Sequence, residues 1–229
     1  MDVVTADNAA DLSQLLSEAV AQALRSAIDE HGKASLVVSG GSTPVPFFKH
    51  LSQLQLDWQK VVVTLADERW VPYEHDDSNE RLVCKYLLQN RAAAARFCSL
   101  YDATSDTPEA GSLVVSKRLE NQLPMPITVL ILGMGTDGHT ASLFPNTSGL
   151  EQAMALDNPA IVQIMHPEAS PHARITLTRR ALLESSNRFL HITGSAKKAL
   201  IDSIDTPTGK SLPIAGFLGT TQIAVYWSP

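Results

Sequence analysis

The chain has 229 residues, 44% hydrophobic and 18% charged, which suits one large α/β domain over 1–229 with a sizeable core. A formal net charge of −6, with 18 Lys plus Arg and no basic run, argues against nucleic acid as a partner. The absence of an 18-residue apolar run and of a basic, apolar leader predicts neither a membrane span nor secretion. Cys84 and Cys98 lack metal-ligand spacing and are read as reduced thiols of a cytoplasmic protein.

An amphipathic helix opens the chain, with Leu12, Leu15, Leu16, Ala19, Ala23 and Ala27 near helical spacing and Gly32 as its stop. Ala34–Val38 reads as a buried strand, followed by Ser39-Gly-Gly-Ser-Thr-Pro44. Thr43 suits an N-cap and Pro44 a first helical position, which predicts a helix near 44–54. Gly40 and Gly41 leave backbone N–H groups unobstructed, so Gly40, Gly41, Ser42 and Thr43 form a candidate phosphate cradle. The plain alternative is a tight strand-to-helix turn. It is not a Walker loop, because the Gly-Lys-Ser/Thr ending is missing.

A second strand, Lys60–Leu65, leads into Asp67-Glu-Arg-Trp-Val-Pro72 and a loop through His75 to Ser78, the expected cap of a helix over 79–95. Arg69 could bind an anion or stabilise an oxyanion, while Asp67 and Glu68 could accept sugar hydroxyls. A solvated acidic loop with one internal ion pair is the bland alternative. The carboxylates near His75 raise the question of a metal, but without a compact ligand pattern none is assigned.

After a helix over 109–122, the apolar run Ile127–Leu132 reads as a further buried strand. Gly133, Gly135 and Gly138 then permit a sharp bend that can bring Asp137 and His139 up to a small ligand. Histidine exchanges protons near neutral pH, its ordinary pKa being about 6.5, so His139 is the candidate general base. Being two residues apart in a turn, the Asp137 and His139 side chains need not touch. A capping aspartate beside a surface histidine is the alternative.

Gly133-Met-Gly-Thr-Asp-Gly138 also matches a dinucleotide fingerprint, but three features reject it. Asp137 would set a carboxylate where a pyrophosphate must lie. Pro145 and the Asn146–Gly149 turn cut the following helix short. No acidic residue stands at a suitable distance for a ribose.

Further strands are expected at 160–165, 174–178, 188–193 and 222–227, with a helix over 195–204. Arg174 opens one strand, and Lys197 lies on the first helical turn after Gly194; each alone would be surface charge. His31, His50, His166, His172 and His191 are read as structural. Short apolar strands alternating with helices indicate a mainly parallel sheet with helices on both faces. Polar motifs follow four of the strands, and open α/β sheets bind ligands beyond their strands' carboxyl ends, so one crevice is expected.

These motifs resemble the 6-phosphogluconolactonase family, and they occur in that family's order. The matching segments are Ser39–Pro44, Asp67–Pro72 with His75 and Ser78-Asn79, Leu132–Pro145, Arg174–Thr178 and Thr193–Lys197. The resemblance implies a Rossmann-like α/β fold and hydrolysis of 6-phospho-D-glucono-1,5-lactone to 6-phospho-D-gluconate, in the oxidative branch of the pentose phosphate pathway. On that reading His139 acts on water as base and then as acid, Arg69 stabilises the oxyanion, and Asp137 orients substrate or His139. Gly41–Thr43, Arg174 and Lys197 would hold the 6-phosphate, with Asp67 at the sugar. The chemistry requires no metal or organic cofactor.

The related glucosamine-6-phosphate isomerase/deaminase family shares the first motif and Asp-Gly-His, but usually continues Ile-Ala-Phe-Asn-Glu-Pro. Here Thr140-Ala-Ser-Leu-Phe-Pro145 follows, without a glutamate. An amino-sugar-phosphate isomerase or a non-catalytic sugar-phosphate sensor is the competing expectation. No G-x-S-x-G elbow supports a covalent serine.

Overall fold

The computed structural model describes residues 2–168, 170–219 and 222–229. Strand β1 (Asp2–Thr5) precedes the long helix α1 (Ala9–His31). The Asn8 side chain caps α1 by accepting from the N–H groups of Ala10 and Asp11, and Gly32 ends it in the left-handed region at φ 73°. The buried stripe of α1 runs Leu12, Leu16, Val20, Leu24 and Ile28; Leu15, expected within it, is exposed.

Next come β2 (Ala34–Val38), α2 (Val45–Leu51), β3 (Val61–Leu65) and β4 (Asp67–Arg69). They are followed by α3 (Asn79–Tyr86), β5 (Arg96–Phe97), α4 (Pro108–Gln122) and β6 (Ile127–Leu132). The remainder holds α5 (Leu150–Met154), β7 (Val162–Met165), β8 (Arg174–Leu177), α6 (Arg179–Leu183) and β9 (Ser185–Thr193). Helices α7 (Ser195–Asp202), α8 (Pro207–Lys210) and α9 (Ala215–Leu218) precede β10 (Ala224–Ser228).

Seven strands form a wholly parallel sheet in the order β1-β10-β9-β6-β2-β3-β5. Every residue of β2, β3 and β6 is buried, so both faces of the sheet's centre are covered, as the uninterrupted apolar runs require. The chain builds outward from β2 through β3 to β5, then returns to lay β6 on the other side of β2. That reversal opens a crevice beyond the carboxyl ends of β2 and β6.

The other three strands correct the single-sheet expectation. β4, β8 and β7 form a separate antiparallel sheet, and Asp67–Arg69, read as the start of a loop, is its edge strand. Ala66 joins the two sheets: its N–H donates to Val38 O at 2.8 Å, and its carbonyl accepts from Leu177 N at 2.9 Å. The helix expected over 79–95 stops at Tyr86 and is followed by a 3₁₀ turn at Asn90–Ala94.

Candidate active site

The crevice at the reversal has a volume of about 390 Å³ and gathers the ends of β2, β3, β6 and β9. Its wall includes Gly40, Gly41, Ser42, Thr43, Asp67, Arg69, His139, Arg174 and Lys197, so nearly all of the residues singled out by sequence converge there. Ser39 ties two of these ends together. Its Oγ donates to Ile131 O at 3.2 Å and accepts from Gly133 N at 3.2 Å.

The turn after β2 departs from the expected cap. Helix α2 starts at Val45, behind Pro44, and no side chain caps it; Thr43 therefore does not serve as N-cap. Among the described residues, the backbone N–H groups of Gly40, Gly41, Ser42 and Thr43 have no protein acceptor. Gly41 sits at φ +97° with nothing within 4 Å of a would-be Cβ, so its backbone lies open to a ligand. Successive free N–H groups of this kind form an anion-binding concavity.

The loop after β6 is closed on itself: Gly135 N donates to His139 O, Gly138 N to Gly135 O, and Thr140 Oγ1 to Gly133 O. Contrary to the expectation that they need not meet, Asp137 Oδ1 lies 2.6 Å from His139 Nδ1 and also accepts from His139 N at 3.2 Å. An ionised carboxylate only accepts, so this contact puts the imidazole proton on Nδ1 and leaves Nε2 with a lone pair. Burial raises the Asp137 pKa, but the N–H, charge and ring of His139 outweigh it and hold the carboxyl below its ordinary value. Gly135 is required here, since a Cβ would stand 2.2 Å from His139 Cε1. Phe144 packs at 4.2 Å between ring centroids on the imidazole. Asp137 itself is not part of the crevice wall; it acts on the wall through His139.

The small sheet supplies two of the three cations in the wall. Arg69 and Arg174 are register partners across β4 and β8, a like-charge pairing that ordinarily destabilises a sheet. The Arg174 pKa is lowered, first by burial and then by the Arg69 charge. Arg174 is held by Ser170 Oγ, which accepts from Nε and Nη2, and its guanidinium lies 5.9 Å from the Phe144 ring centroid. Arg69 Nη1 donates to Asp77 O at 2.6 Å, while its Nε is buried without a partner. Lys197 lies on the first turn of α7, and burial lowers its pKa. Among the described residues none of these three cations has a carboxylate partner, whereas Arg81, Arg118, Arg180 and Lys198 do.

Asp67 and Glu68 separate in role. Asp67 is buried in the wall, with Oδ2 accepting from Ser142 Oγ at 2.6 Å. Glu68 is turned away from the crevice, which corrects its reading as a sugar ligand. Its carboxylate accepts from the N–H groups of Arg69, Asn79 and Glu80 and from Ser78 Oγ, fastening β4 to the start of α3. Burial pushes its pKa up to about 7 against those backbone donors. Ser78 caps α3 as expected, accepting from Arg81 N.

Two polar wall residues had no role assigned from sequence, Asn79, quoted only within a matched motif, and His191. Asn79 donates Nδ2 to Asp67 O at 3.0 Å and fills the space a Cβ on Gly40 would need. His191, taken as structural, forms part of the wall, only 3% exposed and with neither ring nitrogen partnered. Burial, then the Lys197 charge, lowers its pKa to about 4. Its position near the end of β9, two residues before Thr193-Gly194, was the available signal.

Fold and crevice together define a doubly wound, Rossmann-like α/β protein with a cation-lined crevice at the strand reversal. The chain belongs to the glucosamine-6-phosphate isomerase/6-phosphogluconolactonase family, whose sequence pattern matches residues 7–227. It is 43% identical over 223 residues to the 6-phosphogluconolactonase of Pseudomonas aeruginosa, covering 97% of this chain and 92% of that protein. The Rhizobium meliloti 6-phosphogluconolactonase is also 43% identical, over 226 residues, covering 97% of each chain. A crystal structure of a 6-phosphogluconolactonase from Shewanella baltica superposes with a TM-score of 0.94 at 40% identity, covering 100% of this chain and 98% of that one. No helix among the described residues is long and apolar enough to cross a membrane.

Proposed function

We propose that this protein hydrolyses 6-phospho-D-glucono-1,5-lactone to 6-phospho-D-gluconate, as the names of its relatives suggest. The observation that carries this reading is the meeting, in one crevice, of an anion-seeking half with a histidine whose Nδ1 is engaged by a carboxylate. The free N–H groups of Gly41–Thr43, together with Arg174 and Lys197, hold the 6-phosphate. Asp67, its other oxygen engaged by Ser142, accepts from sugar hydroxyls.

His139 Nε2 removes a proton from water as the water oxygen bonds to the lactone carbonyl carbon, with Asp137 orienting the ring and offsetting the imidazolium charge. The carbonyl oxygen becomes an oxyanion, which the guanidinium charge of Arg69 in the crevice wall stabilises. Collapse of the tetrahedral intermediate breaks the bond to the ring oxygen, which takes the proton from His139. All atoms are then accounted for, with water divided between the new carboxyl group and the freed hydroxyl. One chain over 1–229 acts as a single unit in this scheme, and the unpaired thiols of Cys84 and Cys98 fit a reducing, cytoplasmic setting.

An amino-sugar-phosphate isomerase would use the same phosphate half. The segment after His139 carries no acidic partner for that chemistry. The deciding assay follows acid release from fresh 6-phosphogluconolactone, corrected for spontaneous opening, beside ammonia release from glucosamine 6-phosphate. Turnover of the lactone alone is expected. Turnover of the amino sugar alone would establish the isomerase reading, and binding without turnover of either would establish a sensor.

A further inference from the structure

Just outside the crevice wall, the loop after β4 and the segment before β8 bring together His75, Asp77 and His172. His172 Nε2 lies 3.1 Å from Asp77 Oδ2, and His75 Nδ1 lies 3.9 Å from the same oxygen. The two imidazoles meet edge to face with centroids 5.0 Å apart. One donor atom from each residue falls within 4.8 Å of the others. Zinc bonds of about 2.0–2.2 Å in tetrahedral geometry separate neighbouring donors by about 3.3–3.5 Å. The two spacings to Asp77, 3.1 and 3.9 Å, therefore bracket a tetrahedral edge, and side-chain rotations from a set within 4.8 Å close it.

We propose that His75, Asp77 and His172 form a site for a divalent transition-metal ion of the zinc class. Two imidazoles and one carboxylate suit borderline metals, whereas magnesium and calcium favour oxygen-only sets. Asp77 N currently donates to His75 Nδ1 at 3.0 Å; the exposed ring gives up that bond or turns to present its other nitrogen. Three protein ligands leave the fourth position to water.

The site would tie together two segments that each hold a crevice arginine. The Asp77 carbonyl accepts from Arg69, and Ser170, which bonds both the N–H and the carbonyl of His172, also accepts from Arg174. The ion is thus a clip at the crevice rim, separate from the proton chemistry of His139. Its existence does not depend on which sugar phosphate the crevice accepts.

The test is calorimetric titration of chelator-stripped protein with zinc chloride, in wild type and in the variants His172→Gln, His75→Gln and Asp76→Asn. Wild type should bind one zinc ion per chain, and zinc should raise its melting temperature. Each histidine variant should lose roughly 10- to 100-fold or more in affinity. Asp76→Asn removes only the ion pair with Arg81, which keeps its bond to Glu74 O, and should bind as wild type does. Either histidine variant suffices should the other fold poorly. Absence of saturable binding to wild type overturns the site, as does equal binding by wild type and both histidine variants. Equal competition by magnesium overturns the assignment to a transition metal.

Discussion

In the parallel sheet Leu36 faces Val63 on one side and Val129 on the other, whereas in the antiparallel sheet Arg69 faces Arg174. The first kind of pairing buries apolar surface at no electrostatic cost. The second sets two partly buried arginines opposite one another across the strands. The small sheet can hold them because its other positions are secured: Ile175 and Leu177 are fully packed, Ser142 holds Asp67, and Glu68 is anchored to the start of α3. The large sheet therefore supplies rigidity and carries the loop of Asp137 and His139, while the small one sets two arginines together at the crevice.

The largest expected effect tests the half built on the large sheet. His139→Ala should lower the lactonase kcat by about 10²–10⁴-fold, the usual worth of a positioned general base. Binding of 6-phosphogluconate, followed by calorimetry, should change little because the contacts proposed for the phosphate lie elsewhere. An equal loss of product affinity would break the division of labour between the sheets.

The cationic half, Arg174 on the small sheet with Lys197 on α7, should respond differently. Arg174→Met keeps much of the apolar stem while removing the charge, and should raise KM for phosphorylated lactone by roughly 10- to 150-fold, with Lys197→Ala acting similarly. Their kcat should change less than that of His139→Ala, since a phosphate contact is equally strong in ground and transition states. Unphosphorylated gluconolactone should be a poor substrate, little affected further by either change. The melting temperature of Arg174→Met should stay level or rise as the repulsion from Arg69 is relieved. A marked fall would show that the paired arginines carry no stability cost.

Glu68→Gln sharpens the comparison from the stability side. The amide offers one acceptor oxygen where the carboxylate takes N–H donors on both oxygens, so one or more buried donors lose their partner. A loss of about 1–3 kcal/mol in urea unfolding is expected. The loop carrying Asp77, and with it the hold on Arg69, should loosen. An unchanged unfolding midpoint would show that α3 does not need this anchor.

The smallest effect is a pair of opposing pH slopes. His191 has a pKa near 4 against an ordinary 6.5, so the unfolded chain binds more protons between these values. Its contribution is complete above 6.5 and is lost as pH falls towards 4. Glu68 has a pKa near 7 against an ordinary 4.5, so the folded chain binds more protons and stability is lost as pH rises through that window. Each slope is at most about 1.4 kcal/mol per pH unit, so the two largely cancel between pH 4.5 and 6.5 in the wild type. Removing the acid in Glu68→Gln should make stability rise more steeply with pH across that range, read as urea midpoints. Identical pH profiles for wild type and variant would contradict the Glu68 contribution.

What the sequence determined by itself was everything set by local periodicity and turn chemistry. The buried strands at 34–38 and 127–132, α1 with its Gly32 stop, the Ser78 cap and the strand-end placement of the crevice all follow from patterns a few residues long. Tertiary structure decided the rest. Asp67–Arg69 is too short and too polar to signal a strand, and becomes one only because β8, more than 100 residues later, pairs with it. Thr43 satisfies every local rule for a cap, yet α2 begins behind Pro44 with no side-chain cap. Asp137 and His139 meet through the closed path of the glycine loop, while His191 joins the wall because β9 lies beside β6. Side chains are local properties of a sequence, but their neighbours depend on register and on the folded chain's path, which local patterns do not encode.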